Sequence, residues 1–146
     1  MNLKKENIKW EELGFNPIET RSMFMAKCSI DEKWKGGALV PYGNIELSPA
    51  AGVLNYGQGV FEGTKAYHTI KDNIVLFRIQ RNAKRMEWST QRMCIPKIDS
   101  DFFIDAVIQT VKDNIGYVPP YGKGSMYIRP IVWGTAPALG VRAVSE

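Results

Sequence analysis

The chain has 146 residues, 45% of them hydrophobic and 23% charged, with a net charge of +4. That length suffices for one domain with its own core, and the composition is ordinary for a globular chain. The charge is modest and scattered, with no run of five like charges, which argues against a nucleic-acid arm, and no apolar run is long enough to span a membrane.

Residues 1 to 19 read as a loosely held lead with Trp10 and Leu13 as anchors. Met1 to Trp10 contains Lys4, Lys5 and Lys9 but no apolar stretch and no arginine. Neither a secretory signal nor a transit peptide has that pattern, so the cytoplasm is the expected compartment. Arg21 to Ser29 fits a strand, Asp31 to Gly37 a loop, and Ala38 to Tyr42 a short apolar run before a turn. Ser48-Pro49 predicts a helix start, with Ser48 as cap and Pro49 in the first turn.

Leu54 to Tyr67 then reads L-N-Y-G-Q-G-V-F-E-G-T-K-A-Y, with Gly57, Gly59 and Gly63 set among aromatic residues. The local pattern fits either a chain-reversing turn or a tight corner that builds a pocket wall. Thr64 to Thr69 and Ile74 to Phe77 flank Asp72-Asn73 and predict a hairpin. Ile79, Ala83, Met86, Thr90 and Met93 recur at helical steps, with Arg81, Arg85, Trp88 and Arg92 on the opposite face and Pro96 beyond the end.

A second helix is predicted from Asp99 or Ser100, carrying Phe103, Ile104, Val107, Ile108, Val111 and Ile115 and ending near Gly116. Pro119 to Gly124 is a loop, and Ser125 to Trp133 is a strand whose alternation puts Tyr127, Arg129, Ile131 and Trp133 on one face. Pro130 belongs at an edge or bulge of that strand. The predicted class is α+β: a mostly antiparallel sheet with two helices packed on one side. Cys28 and Cys94 are expected to be reduced, buried thiols of an intracellular protein, His68 an exposed strand residue without a role, and no zinc site is expected from one histidine and no cysteine pair.

The glycine motif resembles the entry motif of branched-chain amino acid aminotransferases, the fold-type-IV enzymes that use pyridoxal 5′-phosphate. Leu76-Phe77-Arg78 with Asn82 to Met86, Tyr117 to Ser125, and Tyr127-Ile128-Arg129-Pro130 follow in that family's order. The resemblance runs from about Trp10 to Val141 and is strongest to the plant-type enzymes. It implies that residues 20 to 146 are the small N-terminal domain.

It also implies roles. Arg85 maps onto the arginine that binds the cofactor's phosphate, for which a guanidinium fork is suited; a solvated basic helix face is the alternative. Tyr127 and Arg129 map onto the pair that holds the substrate carboxylate, and a strand arginine paired with a surface acid is the alternative. Tyr56, Phe61 and Lys65 map onto the substrate pocket, some reaching across a homodimer. Leu139 and Val141 map onto a loop that closes over the neighbour's substrate, or they are plain core. The implied reaction converts leucine, isoleucine or valine with 2-oxoglutarate to branched 2-oxo acids and glutamate.

In the family the Schiff-base lysine lies in a second, larger domain, and no lysine here has the matching context, so no catalytic residue is expected in this chain. The second domain is expected to be absent and the 146 residues alone to be inactive. Two alternatives stand beside this. One is a noncatalytic module or truncated product that pairs with a full-length homologue. The other is a D-amino-acid aminotransferase or aminodeoxychorismate lyase.

Overall fold

Ile79, Ala83, Met86 and Thr90 lie on one side of a helix, α2 (Ile79–Arg92), and all four are buried. The computed structural model describes residues 8–14, 16–140 and 142–143. No side chain caps the start of α2; Arg78 precedes it in the left-handed region at φ 52, so packing of the buried Ile79 anchors the first turn. A second helix, α3 (Ser100–Asp113), buries Phe103, Val107 and Val111, one turn apart.

The apolar stripe predicted for α3 runs on to Ile115, but the α-helix stops at Asp113 and Ile115 is 51% exposed. The buried Asn114 explains the stop. Its amide nitrogen donates to Thr110 O at 2.8 Å and Ser22 O at 3.0 Å, and its Oδ1 accepts from the Ser22 N–H at 3.1 Å. These bonds tie the end of α3 to strand β1 (Ser22–Met25), which pairs antiparallel with β2 (Ala38–Pro41).

The remaining strands form two further antiparallel sets. Strand β3 (Gly59–Phe61) pairs with β7 (Ile131–Trp133), while β4 (Thr64–His68) lies between β5 (Ile74–Leu76) and β6 (Met126–Ile128). The β4–β5 turn is the predicted hairpin, with Asp72 at φ 58 and the Thr69 N–H donating to Asn73 O. Ala66 of β4 is fully buried and packs with Ile74, Leu76, Met126 and Ile128 against Ile79, Ala83, Met86, Phe103 and Val107. The architecture is therefore α+β with α2 and α3 on one side, as predicted, but the strands make three small sheets and not one.

The strand predicted over Ser125 to Trp133 is divided at Arg129-Pro130, because Pro130 has no N–H for a ladder. The register nonetheless continues across the break. Thr64 faces Ile128 and Phe61 faces Ile131, so Gly63 falls opposite Arg129 and Glu62 opposite Pro130. The Glu62 N–H donates to Pro130 O at 2.9 Å.

Three smaller expectations are corrected. Ser48 does not cap a helix at Pro49: its Oγ accepts from the Ala50 N–H and its carbonyl from the Ala51 N–H, closing a turn, and helix α1 (Gly52–Tyr56) starts later. Cys28 is buried but Cys94 is exposed, since the chain turns at Cys94 (φ 53) to bury Ile95 instead. His68 is not an exposed residue: its ring is half-buried with Nδ1 3.0 Å from Pro119 O.

Candidate functional site

Strand alternation assembles the first group of predicted residues. Phe61, Lys65, Tyr127 and Arg129 share the face of β3, β4 and β6 that points away from the helices, with Lys65 directly opposite Tyr127. Arg129 Nη2 donates to the Tyr127 hydroxyl at 2.7 Å. The guanidinium carbon lies 4.5 Å from the centre of the Phe61 ring and 5.2 Å from that of Tyr127, so both rings hold the cation by their faces. Among the described residues, neither Arg129 nor Lys65 has a carboxylate within ion-pair distance.

That arrangement has free hydrogen-bonding capacity. The Tyr127 hydroxyl accepts from Arg129 and keeps its own proton to donate. Among the described residues, Arg129 spends one of its five N–H groups and keeps four. A planar carboxylate is the group that two such donors side by side would take. Gly63 makes the arrangement possible, because a Cβ at that position would collide with the Tyr127 hydroxyl. A concavity of about 220 Å³ lies here, lined by Gly63, Thr64, Lys65, Phe77, Asn82 and Tyr127 among others.

Arg85 is built from the other side of the same segment. Glu62 is one residue out of phase with Phe61 and Gly63, so it points toward the helices and is buried. Arg85, on the exposed edge of α2, meets it side-on: Nε donates to Oε1 and Nη2 to Oε2, both at 2.8 Å. Asn82, one turn earlier, donates from Nδ2 to Glu62 Oε2 and to Gly63 O, each at 2.9 Å. Burial pushes the Glu62 carboxyl up, but the bonds from Arg85, Asn82 and the Gly63 N–H outweigh it and hold it below the usual carboxylate range. The Glu62 carboxylate in turn raises the Arg85 guanidinium further, keeping it charged.

The side-on pairing uses two of the five N–H groups of Arg85. Its other edge has no partner among the described residues, and the side chain is 58% exposed. The donor set fits a phosphate. Sequence reasoning assigned Glu62 no role; the available signal was its strand parity, which turns a carboxylate inward where it needs a partner.

Tyr56 and Leu139 form a separate group. The Tyr56 hydroxyl accepts from the Gly140 N–H at 2.6 Å, and Leu139 beside it is 72% exposed, so Leu139 is not core. The segment before it is laced to α1 by Val53 N–H to Gly134 O, Gly134 N–H to Gln58 O and Ala138 N–H to Ala50 O. No hydrogen bond or ring contact joins Tyr56 to the Arg129 group among the described residues. Val141 lies outside the described residues. A second concavity, about 310 Å³ and lined by Ile8, Glu12, Leu13 and Ile18 among others, sits in the lead and touches none of the predicted site residues.

No protein-family model matches the chain. It is 49% identical over 140 residues to the chloroplastic branched-chain amino acid aminotransferase 2 of Humulus lupulus, covering 96% of this chain and 34% of that protein. It is 47% identical over 143 residues to branched-chain-amino-acid aminotransferase 6 of Arabidopsis thaliana, covering 98% of this chain and 40% of that one. Among solved structures it is similar to the branched-chain aminotransferase of the thermophilic archaeon Thermoproteus uzoniensis with norvaline. That match has a TM-score of 0.63 and 26% identity, covering 82% of this chain and 36% of that one. The chain thus spans about a third of the length of the curated relatives it matches. No helix among the described residues is long and apolar enough to cross a membrane.

Proposed function

Because its sequence and fold correspond to the N-terminal part of branched-chain amino acid aminotransferases, we propose that this chain supplies the carboxylate clamp and one phosphate ligand of such a site. The substrates would be leucine, isoleucine or valine with 2-oxoglutarate, and the products branched 2-oxo acids and glutamate. Pyridoxal 5′-phosphate, when bound, supplies the electron sink that amino-group transfer requires.

The observation that carries this reading is Arg129. A cation stacked on Phe61, bonded to the Tyr127 hydroxyl and free of any carboxylate among the described residues is built for an incoming one. Arg129 and the Tyr127 O–H would orient the substrate carboxylate, and Phe61 would exclude water from it. Arg85 would hold the cofactor phosphate by its free edge. Tyr56 would fix the segment that carries Leu139, which with Val141 would meet the apolar side chain of the substrate, across a homodimer. Lys65 would line the pocket beside Tyr127.

The test replaces the matching stretch of the Humulus lupulus relative with these 146 residues. Transfer from leucine to 2-oxoglutarate by the graft is expected, with KM for leucine raised strongly by Arg129→Ala. Unchanged kinetics in Arg129→Ala would remove the clamp. The cytoplasm is the compartment proposed, against a relative named as chloroplastic; the location of a fluorescent fusion decides between them.

A further inference from the structure

We infer that Glu62 is a positioning residue for anion binding: by gripping one edge of the Arg85 guanidinium, it aims the other edge at a phosphate group. The inference rests on the reading of Arg85 as a phosphate ligand and adds a residue to which no role has been given. Glu62 is itself held from several sides. It is buried, its Oε2 accepts from Asn82 Nδ2 at 2.9 Å and from the Gly63 N–H at 3.3 Å, and Asn82 is bonded in turn to Gly63 O. The exposed Arg85 side chain is therefore fixed to the backbone of the glycine corner through two 2.8 Å bonds. A long side chain held this way forfeits less rotamer freedom when an anion arrives.

Charge alone argues the opposite sign. A carboxylate beside a guanidinium offsets its charge, so removing the carboxylate should tighten anion binding if Glu62 did nothing else. Positioning predicts weaker binding, and the direction of the change separates the two.

The experiment titrates the full chain with inorganic phosphate, following the arginine side-chain ¹⁵N–¹H signals by NMR. Arg85→Ala is expected to abolish the phosphate response. Glu62→Gln is expected to weaken phosphate affinity about three- to tenfold, the scale of one side chain's ordering, and to have no effect once Arg85 is absent. Asn82→Ala is expected to weaken it in the same direction by less, and it decides the matter if Glu62→Gln fails to fold by circular dichroism. Equal or tighter phosphate binding by the folded variants, with the response still lost in Arg85→Ala, overturns the positioning role and leaves Arg85 as the ligand. A phosphate response that survives Arg85→Ala overturns both.

Discussion

The Tyr127 hydroxyl occupies the space that a Cβ on Gly63 would fill. The two residues lie diagonally across the β4–β6 ladder, and the missing side chain on one strand is what lets the phenol of the other lie flat beside Arg129. Gly63→Ala is therefore expected to push the phenol aside and break the Arg129–Tyr127 bond. Both partners are exposed, so the stability change should stay below about 1 kcal/mol. Denaturant midpoints measure the second quantity, and loss of Tyr127–Arg129 cross-peaks in NMR the first. A cross-peak that persists in Gly63→Ala contradicts the prediction.

Arg85 and Arg81 are both exposed on α2, but only Arg85 is gripped by Glu62. A charged hydrogen bond of this kind contributes roughly 1.5–3 kcal/mol. In the grafted enzyme Arg85→Ala is thus expected to weaken pyridoxal 5′-phosphate affinity by about one to two powers of ten. Arg85→Lys should restore part of it, since an ammonium keeps the charge but not the fork. Arg81→Ala should change little. Absorbance titration of the three variants reads this directly, and equal losses for Arg81→Ala and Arg85→Ala would reduce the effect to general electrostatics.

Acid should unfold the protein partly through Glu87. Hydrogen bonds from Lys97 at 2.7 Å and Lys84 at 2.9 Å lower its carboxyl from 4.5 to about 2. A group lowered on folding contributes fully above its unfolded value and loses that contribution as pH falls through the folded one. Stability from this group should therefore drop between pH 4.5 and about 2, on the same limb to which the lowered Glu62 contributes. Denaturant midpoints against pH should fall less steeply over that window in Glu87→Gln. Parallel curves for the two proteins would rule Glu87 out.

Asn114 should matter far more than an asparagine after a helix usually does. Asn114→Ala removes a carboxamide whose nitrogen reaches Thr110 O, Ser22 O and Ser22 Oγ and whose oxygen accepts from the Ser22 N–H, leaving that buried N–H without its partner and Ser22 O with only the 3.4 Å bond from Thr20 Oγ1. A loss of about 1–3 kcal/mol is expected from the orphaned N–H, against tenths for a change at an exposed neighbour such as Lys112→Ala. Equilibrium urea unfolding of Asn114→Ala measures it, and a loss under about 1 kcal/mol would mean that water replaces the amide.

Local order along the chain was enough for what lies within one element. The spacing of Ile79, Ala83, Met86 and Thr90 makes α2, that of Phe103, Val107 and Val111 makes α3, and Asp72-Asn73 closes the β4–β5 hairpin, because local periodicity and turn chemistry need no distant partner. Alternation likewise placed Tyr127 and Arg129 on one face, and the register kept it so through the Pro130 break. Pairs between elements came only with the packed structure. Asn114 meets Ser22 across 92 positions and Arg85 meets Glu62 across 23. Ser48 has the composition of a cap but commits its oxygens to a turn that brings α1 against Gly134. A buried polar group must find its partner wherever the chain's path delivers one, and that path is a property of the packed molecule.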